Sequence, residues 1–174
     1  MHRNKLCQKP FFTTQEAKLL GISARMLSYY VNKGELERIS RGVYRFSEYL
    51  PNNEELKWEG LAVAAANIKN GVICLLSALS YYELVDEFVN EYWIAVPNNR
   101  TRVRFPMARI IRLRNMTLGV ESKKIMGINI KIFNIERTIV ESFRLLDIET
   151  AVVALKSYMS GSRGKPNIKR LLSY

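Results

Sequence analysis

The chain is poor in the residues on which most catalytic and metal centres depend. Its 174 residues include one histidine, two cysteines and two aspartates, which are His2, Cys7, Cys74, Asp86 and Asp147. One histidine excludes a multi-histidine metal site and a histidine-dependent triad within this sequence. Glu121 and Lys123 have the Glu-x-Lys spacing of metal-dependent nucleases, but such a site also needs an upstream aspartate close enough to share the metal. We therefore expect that the protein is not an enzyme and that it has no catalytic residues, no metal and no cofactor.

Disulfides and long apolar runs are also missing. Two cysteines give no disulfide framework, which is typical of proteins in a reducing compartment. No apolar run approaches the ~20 residues of a membrane span, and no apolar segment of a signal peptide follows the basic residues of the N-terminus. We therefore expect a cytoplasmic protein with no membrane partner.

Basic residues are abundant but unevenly distributed. The formal net charge is +11, with net charges of +5 over residues 1–49, −5 over residues 50–95 and +11 over residues 96–174. An excess of cations suits a polyanionic partner, either nucleic acid or an anionic membrane surface. The alternative is a soluble basic protein that has no polyanionic partner. The segregation of charge suggests two basic surfaces with different roles.

A domain boundary is predicted where a basic segment gives way to an acidic one at Pro51-Asn52-Asn53. Residues 1–49 then form one domain and residues 50–174 another. In the second domain, helices are predicted over residues 54–67, 135–146 and 149–159, and Ser77 is expected to cap a helix that runs to about Leu84. Strands are predicted over residues 72–75, 92–96 and 109–113, with a hairpin over residues 122–133. The pattern predicts an α+β fold with a mostly antiparallel sheet in the C-terminal domain.

The first domain contains the pattern of a helix-turn-helix. Thr13 and Glu16 have the spacing of a capping box, and Gly21 permits the left-handed conformation that ends a helix in a tight turn. Ser23 can cap a second helix that runs from residue 24 to about residue 33. Two short helices around such a turn predict a helix-turn-helix, in which the second helix reads the major groove of DNA.

The second helix has an apolar face and a polar face. Leu27 and Val31, joined by Ala24 and Tyr30, are expected to be buried. The residues on the other face are the candidates for reading base edges, namely Arg25, Ser28, Tyr29 and Asn32. The alternative is a plain helical hairpin with a solvated polar face.

The next segment predicts a basic β-hairpin, or wing, beside the second helix. Residues 36–46 alternate around a turn at Ser40-Arg41-Gly42, with apolar side chains at Leu36, Ile39, Val43 and Phe46. A wing beside a recognition helix brings its cations close to phosphates. The candidate phosphate contacts of the whole domain are Thr14, Lys33, Arg38, Arg41 and Arg45.

A second basic patch lies between Asn99 and Asn115, where no acidic residue occurs. Its members are Arg100, Arg102, Arg104, Arg109, Arg112 and Arg114. In an extended chain the first three would share one face. The patch is either a solvated edge strand guarded by charge or a surface that contacts phosphate.

Short motifs along the sequence resemble those of one known protein family. The N-terminal resemblance is carried by Phe12-Thr13-Thr14, Gly21-Ile22-Ser23, Lys33-Gly34-Glu35-Leu36-Glu37-Arg38 and Arg41-Gly42-Val43-Tyr44. The C-terminal resemblance is carried by Ser77-Ala78-Leu79, Tyr92-Trp93-Ile94-Ala95-Val96-Pro97 and Glu136-Arg137-Thr138-Ile139-Val140-Glu141. These motifs are short, but by their order and spacing the sequence resembles the AbiEi family of antitoxins and transcriptional regulators over nearly the whole chain.

The resemblance implies a DNA-binding autorepressor and antitoxin of a type IV toxin–antitoxin, or abortive infection, system. Its partners would be double-stranded operator DNA, with an inverted repeat, and a nucleotidyltransferase-like toxin or the RNA substrate of that toxin. The sequence contains no heptad pattern and leaves open whether the protein is a monomer or a weak dimer. The alternative function is a protein-interaction module, or a stand-alone transcriptional regulator with no toxin partner.

Overall fold

Helices and strands follow one another in both parts of the chain. The computed structural model describes residues 6–7, 9–86, 91–100, 103–161 and 164–174, except for the side chains of Glu54 and Glu55. Arg102 of the second basic patch lies outside the described residues. The chain forms two units, which are Met1–Asn67 with Lys124–Asn129, and Ile68–Lys123 with Ile130–Tyr174. The mixture of helices and sheets confirms the α+β prediction.

The first unit contains three helices and a three-stranded sheet in the order β1-β3-β2 among its described residues. The bounds are β1 Phe12–Thr13, α1 Thr14–Leu19, α2 Ala24–Asn32, β2 Leu36–Ser40, β3 Val43–Phe46 and α3 Asn53–Asn67. Thr13 and Glu16 form the predicted capping box, and the Ser23 hydroxyl accepts from the Met26 N–H. Gly21 has a φ of 79°, as the turn between the two helices requires.

Aromatic and aliphatic side chains from all of these strands and from α1 and α2 form the core of the first unit. Phe12, Ala17 and Leu27 are fully buried there, and Leu20, Ile22, Tyr30 and Val31 pack around them. Ala24 was expected on the buried face of α2, but it is exposed. It is the first residue of the helix and follows the cap directly, so the core packs against the later turns.

The second unit is built around a sheet that is five-stranded in the order β6-β5-β4-β8-β7. The strands are β4 Val72–Ile73, β5 Tyr92–Pro97, β6 Ala108–Leu113, β7 Val120–Ile125 and β8 Ile128–Phe133. The helices are α4 Leu75–Tyr81, α5 Ile135–Leu145, α6 Ile148–Met159 and α7 Ile168–Leu171. Ile128, Ile130 and Ile132 are buried at alternate positions of β8, as the sequence predicted.

The prediction of a mostly antiparallel sheet is wrong, because the sheet is mixed. β4 is antiparallel to β5, but β5 is parallel to β6 and β4 is parallel to β8. Alternation of apolar residues reports which face of a strand is buried and carries no information on strand direction. The chain between β5 and β6 crosses over instead of turning back as a hairpin, and nothing in the alternation indicates this.

The prediction that Ser77 caps a helix is also wrong. Helix α4 begins two residues earlier, after Cys74, which makes no side-chain capping hydrogen bond, and the helix ends at Tyr81 instead of Leu84. Ser77 is buried inside the helix, where its hydroxyl accepts from the Trp93 N–H at 2.8 Å. The hydroxyl therefore satisfies a backbone donor of the neighbouring strand, a contact between distant residues that local spacing cannot reveal.

Substitution of Leu27 tests the core of the first unit. Leu27 is 0% exposed, so Leu27→Ala leaves a cavity and should lower the free energy of unfolding by about 2–5 kcal/mol. Leu19 is 85% exposed, so the matched Leu19→Ala change should stay within about 0.5 kcal/mol of the unchanged protein. Denaturant unfolding followed by circular dichroism measures both. Equal losses in the two variants would contradict the position of this core.

The capping glutamate of α1 predicts a dependence of stability on pH. Burial raises the pKa of the Glu16 carboxyl, but hydrogen bonds from Lys9 at 2.7 Å and the Thr13 N–H at 2.8 Å outweigh it and lower the pKa from 4.5. A lowered folded-state pKa stabilises the fold above the unfolded pKa, and this contribution is lost as the pH falls through the folded value.

We therefore expect Glu16→Gln to lower the midpoint of chemical unfolding at pH 7, and the difference from the unchanged protein to shrink below about pH 4.5. Unfolding curves between about pH 7 and 3 measure the effect. Glu48→Gln, at an exposed position of the same unit, is the control. A difference that stayed constant over the whole pH range would rule out the carboxylate as its cause.

Candidate nucleic-acid interface

The exposed face of α2 carries the four side chains predicted to read bases. Arg25, Ser28, Tyr29 and Asn32 are all exposed, whereas Leu27 is buried on the opposite side of the helix. The Ser28 hydroxyl donates to the Ala24 carbonyl at 3.2 Å, so in this arrangement its oxygen can only accept a further hydrogen bond. The structure therefore brings the four predicted residues together on one accessible surface.

Lys33 continues this surface at the end of α2. Its ammonium lies 4.9 Å from the centroid of the Tyr29 ring and 4.0 Å from a carboxylate oxygen of Glu35. The Tyr29 ring is itself edge-on to Tyr30, which packs against the core. These contacts hold the Tyr29 ring over the C-terminal turn of the helix, beside a cation.

The turn of the β2–β3 hairpin lies against the first turn of α1. The Thr14 N–H donates to the Gly42 carbonyl at 2.9 Å, and the Thr14 hydroxyl donates to the same oxygen at 3.3 Å. Thr14, a predicted phosphate contact, is half-buried and uses its hydroxyl proton within the protein. Arg38 and Arg41 are exposed on the hairpin, and within the described part of the chain neither makes an ion pair. The hairpin therefore presents two accessible cations.

Arg45 differs from the other two hairpin arginines. Its guanidinium lies 2.7 Å from Glu37 and 3.3 Å from Glu59, and its side chain is 15% exposed. Burial lowers the pKa of Arg45, but the hydrogen bond with Glu37 and the charge of Glu59 outweigh it, so the pKa is raised. Because two carboxylates neutralise this cation, its surroundings are unlike those of Arg38 and Arg41. The prediction from the sequence treated the three alike.

Two residues of α3 that were missing from the sequence-based candidates contact the hairpin. Glu59 binds Arg45, and the Asn67 side-chain amide donates to the Ser40 hydroxyl at 2.7 Å. Both are polar positions eight residues apart on a helix whose intervening residues are mostly apolar. A polar pair at this spacing on an apolar stretch was the signal available in the sequence.

The second basic patch is divided between a loop and an edge strand. The Arg100 guanidinium donates to the Lys69 carbonyl, and Arg104 is exposed in the loop. The described residues of this loop form no strand, and Arg102 lies outside the described residues, so one extended face for Arg100, Arg102 and Arg104 stays a prediction. A turn follows β5 directly, in which the Pro97 carbonyl accepts from the Arg100 N–H at 3.1 Å.

The other patch arginines lie on β6, an edge of the sheet, or directly after it. Arg109 lies 4.2 Å from the Trp93 ring centroid and 3.7 Å from Glu91, so part of its charge is compensated. Arg112 and Arg114 are exposed and, like Arg104, make no ion pair with any described residue. Among the described arginines of the patch, these three are exposed and make no ion pair, whereas Arg109 is exposed but paired.

Arg137 in the second unit is buried, and its contacts are all within the protein. It is 3% exposed, lies 3.7 Å from the Phe133 ring centroid and 3.6 Å from Glu141, and donates to the carbonyls of Leu118 and Asn115. Burial lowers the pKa of this guanidinium, and the Glu141 charge acts against that effect. Arg137 therefore ties α5 to the segment before β7, which explains why an arginine occurs inside an otherwise buried helix face.

Comparisons with known proteins bear on the first unit. Residues 8–47 match the family model described as "Transcriptional regulator, AbiEi antitoxin". No curated protein matches the chain. Among the described residues, no helix has the length and apolar character needed to span a membrane. The matched segment contains α1, α2 and the β2–β3 hairpin, and with them the candidate interface. Over these residues the resemblance seen in the sequence is confirmed, and the N-terminal segment of the chain is similar to the AbiEi antitoxin transcriptional regulators.

Proposed function

We propose that the first unit is a winged helix-turn-helix that binds duplex DNA and that the protein is a transcriptional autorepressor. The observation that carries the proposal is the exposed polar face of α2 next to a hairpin with two accessible arginines, within the segment that matches a family of regulators. In this arrangement α1 packs behind and supports α2, α2 enters the major groove of the DNA, and β2 and β3 form the wing. Residues 1–49, to which α3 of the same unit is added, are the proposed DNA-binding part, and the rest of residues 50–174 is the proposed antitoxin domain.

The proposed contacts divide into base readers and phosphate contacts. Arg25 suits the two acceptors of guanine and Asn32 the donor and acceptor of adenine, while Ser28 and Tyr29 add further polar contacts. Phosphate contacts are proposed for Lys33, Arg38 and Arg41. The Thr14 hydroxyl, which the sequence also offered as a phosphate contact, donates to the Gly42 carbonyl, so we propose that it positions the turn and would have to leave this carbonyl to donate to phosphate. Since Arg45 is enclosed by two carboxylates, we propose that it orders the hairpin and contributes less to phosphate binding than the prediction from sequence assumed.

The second basic patch is proposed as a further phosphate contact. Arg104, Arg112 and Arg114 are exposed cations on a loop and an edge strand, and arginine suits bidentate contact with phosphate. The phosphate would belong either to the operator or to RNA associated with a toxin. By resemblance to the matched family, the proposed partner in the cell is a nucleotidyltransferase-like toxin, with the operator an inverted repeat beside the chain's own gene.

Binding to the promoter upstream of the chain's own reading frame tests the first proposal. Asn32→Ala and Arg25→Ala should each cost about 1–3 kcal/mol against this duplex and bring its affinity closer to that of an unrelated duplex. Arg41→Ala should instead weaken binding to both duplexes alike and reduce the salt slope by about 1. Fluorescence anisotropy at several salt concentrations measures these quantities.

Arg144→Ala, at an exposed arginine of the second unit, is the matched control and should leave both affinities unchanged. A promoter duplex bound no more tightly than ~10⁻⁴–10⁻⁶ M at physiological salt, which is the usual non-specific range, would reject the regulator proposal.

Replacement of Arg104, Arg112 and Arg114 by alanine tests the second patch. If all three neutralise phosphates, the slope of log affinity against log salt should fall by about 0.9 for each contact. The control replaces Lys131, Lys156 and Lys169, which are exposed cations of the same unit, and so removes the same charge. Equal slopes in the two triple variants would mean that net charge alone, and no local contact, is responsible.

A further inference from the structure

Helix α3 contacts the hairpin at two points. The Asn67 side-chain amide donates to the Ser40 hydroxyl at 2.7 Å and to the Val63 carbonyl of its own helix at 2.9 Å. Both carboxylate oxygens of Glu59 lie 3.3 Å from Nη1 of Arg45. Both contacts belong to the same unit, and the helix lies outside the segment that matches the family of regulators.

The two contacts reach different parts of the hairpin. Ser40 is the last residue of β2, directly before Arg41 in the turn, and Arg45 lies within β3. Eight residues separate Glu59 and Asn67 along the helix, which corresponds to about 12 Å at 1.5 Å per residue. The helix therefore holds the hairpin at its turn and at its body, and a single hinge motion would break at least one contact.

The burial of these groups makes the contacts specific. The side chains of Arg45 and Glu59 are 15% and 22% exposed, and both Asn67 and Ser40 are half-buried. A charged pair with little solvent around it is costly to separate, because each partner would remain as an uncompensated charge. The amide of Asn67 is fixed by its second hydrogen bond to the Val63 carbonyl, so it is already oriented when it meets Ser40.

We propose that α3 is the positioning element of the hairpin and that Asn67 and Glu59 are positioning residues for the contact of Arg38 and Arg41 with phosphate. The proposal rests on the proposed function, since it concerns how the same interface is held. β3 also pairs with β1, and Thr14 donates to the Gly42 carbonyl, so α3 adds to these contacts and further limits motion of the hairpin, which would reduce the affinity for DNA if it had to be ordered on binding. A hairpin held in advance by α3 avoids that loss.

Arg41 and Asn67 have different roles in this proposal. Arg41 would meet phosphate, and Asn67 would act only through the placement of the turn that carries Arg41. Loss of the Asn67 contact should therefore remove the contribution of Arg41 and nothing else. A merely structural role for Asn67 would lower stability while leaving the number of phosphate contacts unchanged.

The experiment measures binding of the full chain to a duplex of about 24 base pairs of mixed sequence, because phosphate contacts need no particular sequence. Asn67→Ala and Ser40→Ala remove the same hydrogen bond from opposite sides. Each should weaken binding roughly 2- to 10-fold, as expected for one hydrogen bond, and lower the salt slope toward that of Arg41→Ala. In the Arg41→Ala background, Asn67→Ala should have no further effect on affinity.

Glu59→Gln provides a second test at the other contact, since it keeps the shape of the side chain and removes the charge that faces Arg45. It should weaken binding if the contact positions the hairpin, whereas tighter binding with a steeper salt slope would mean that the freed Arg45 contacts phosphate and would overturn this part of the inference. Asn53→Ala is the matched control, because Asn53 is an exposed asparagine at the opposite end of the same helix. Thermal unfolding of every variant shows that the protein is folded at the temperature of the binding measurement.

Two outcomes would overturn the inference, and they are distinguishable from each other. If the unchanged protein binds the duplex with a clear salt dependence and Asn67→Ala, Ser40→Ala and Glu59→Gln behave like Asn53→Ala, then α3 does not position the hairpin and the DNA-binding proposal stands. If the unchanged protein shows no salt-dependent binding, the DNA-binding proposal fails and the inference fails with it.

Discussion

The carbonyl of Gly42 accepts the hydrogen bonds that join the two halves of the candidate interface. Thr14 donates to it through the backbone N–H and through the hydroxyl, although the two residues are 28 positions apart. Gly42 has a φ of 80°, a left-handed conformation that glycine adopts without the steric cost of a side chain. The turn of the hairpin is thereby fixed to the start of α1, and the tight turn at Gly21 carries the chain from α1 into α2. As a result, the helix that carries the exposed polar face and the hairpin that carries the exposed arginines are both attached to α1.

The described arginines include three contrasting kinds of environment, and the net charge of +11 does not distinguish them. Arg38, Arg41, Arg112 and Arg114 are exposed, Arg45 is enclosed by carboxylates, and Arg137 is buried against an aromatic ring and backbone carbonyls. An exposed guanidinium exchanges water for phosphate at little cost, whereas a buried one must keep its partners. Only the first kind is suited to bind nucleic acid, so the accessible basic surface is smaller than the composition suggests.

The contacts of α3 show what one of its acidic residues does. Residues 50–95 are acidic as a whole, and their composition alone suggested a segment distinct from the basic domain before it. In the structure α3 belongs to the first unit, and Glu59 uses its charge to hold Arg45. The change in composition near residue 50 therefore marks a change of charge within one unit, where the acidic helix compensates one cation of the hairpin and leaves the others exposed.

Local patterns were sufficient for the elements that depend on neighbouring residues. The capping box of Thr13 and Glu16, the cap at Ser23, the glycine turns and the alternating isoleucines of β8 were all predicted, because capping, backbone freedom and periodicity act over a few residues. The exposed set on α2 followed from helical spacing in the same way.

Tertiary structure alone decided the features that depend on distant contacts. These are the parallel pairings of β5 with β6 and of β4 with β8, the burial of Ser77 beside Trp93, the pairing of Arg45 with Glu59 and the contact of Asn67 with Ser40. Each joins residues whose separation in the chain exceeds a helical turn or a hairpin. The sequence by itself determined which side chains were available for contact, and the packing of the chain determined which of them remain free to contact a partner.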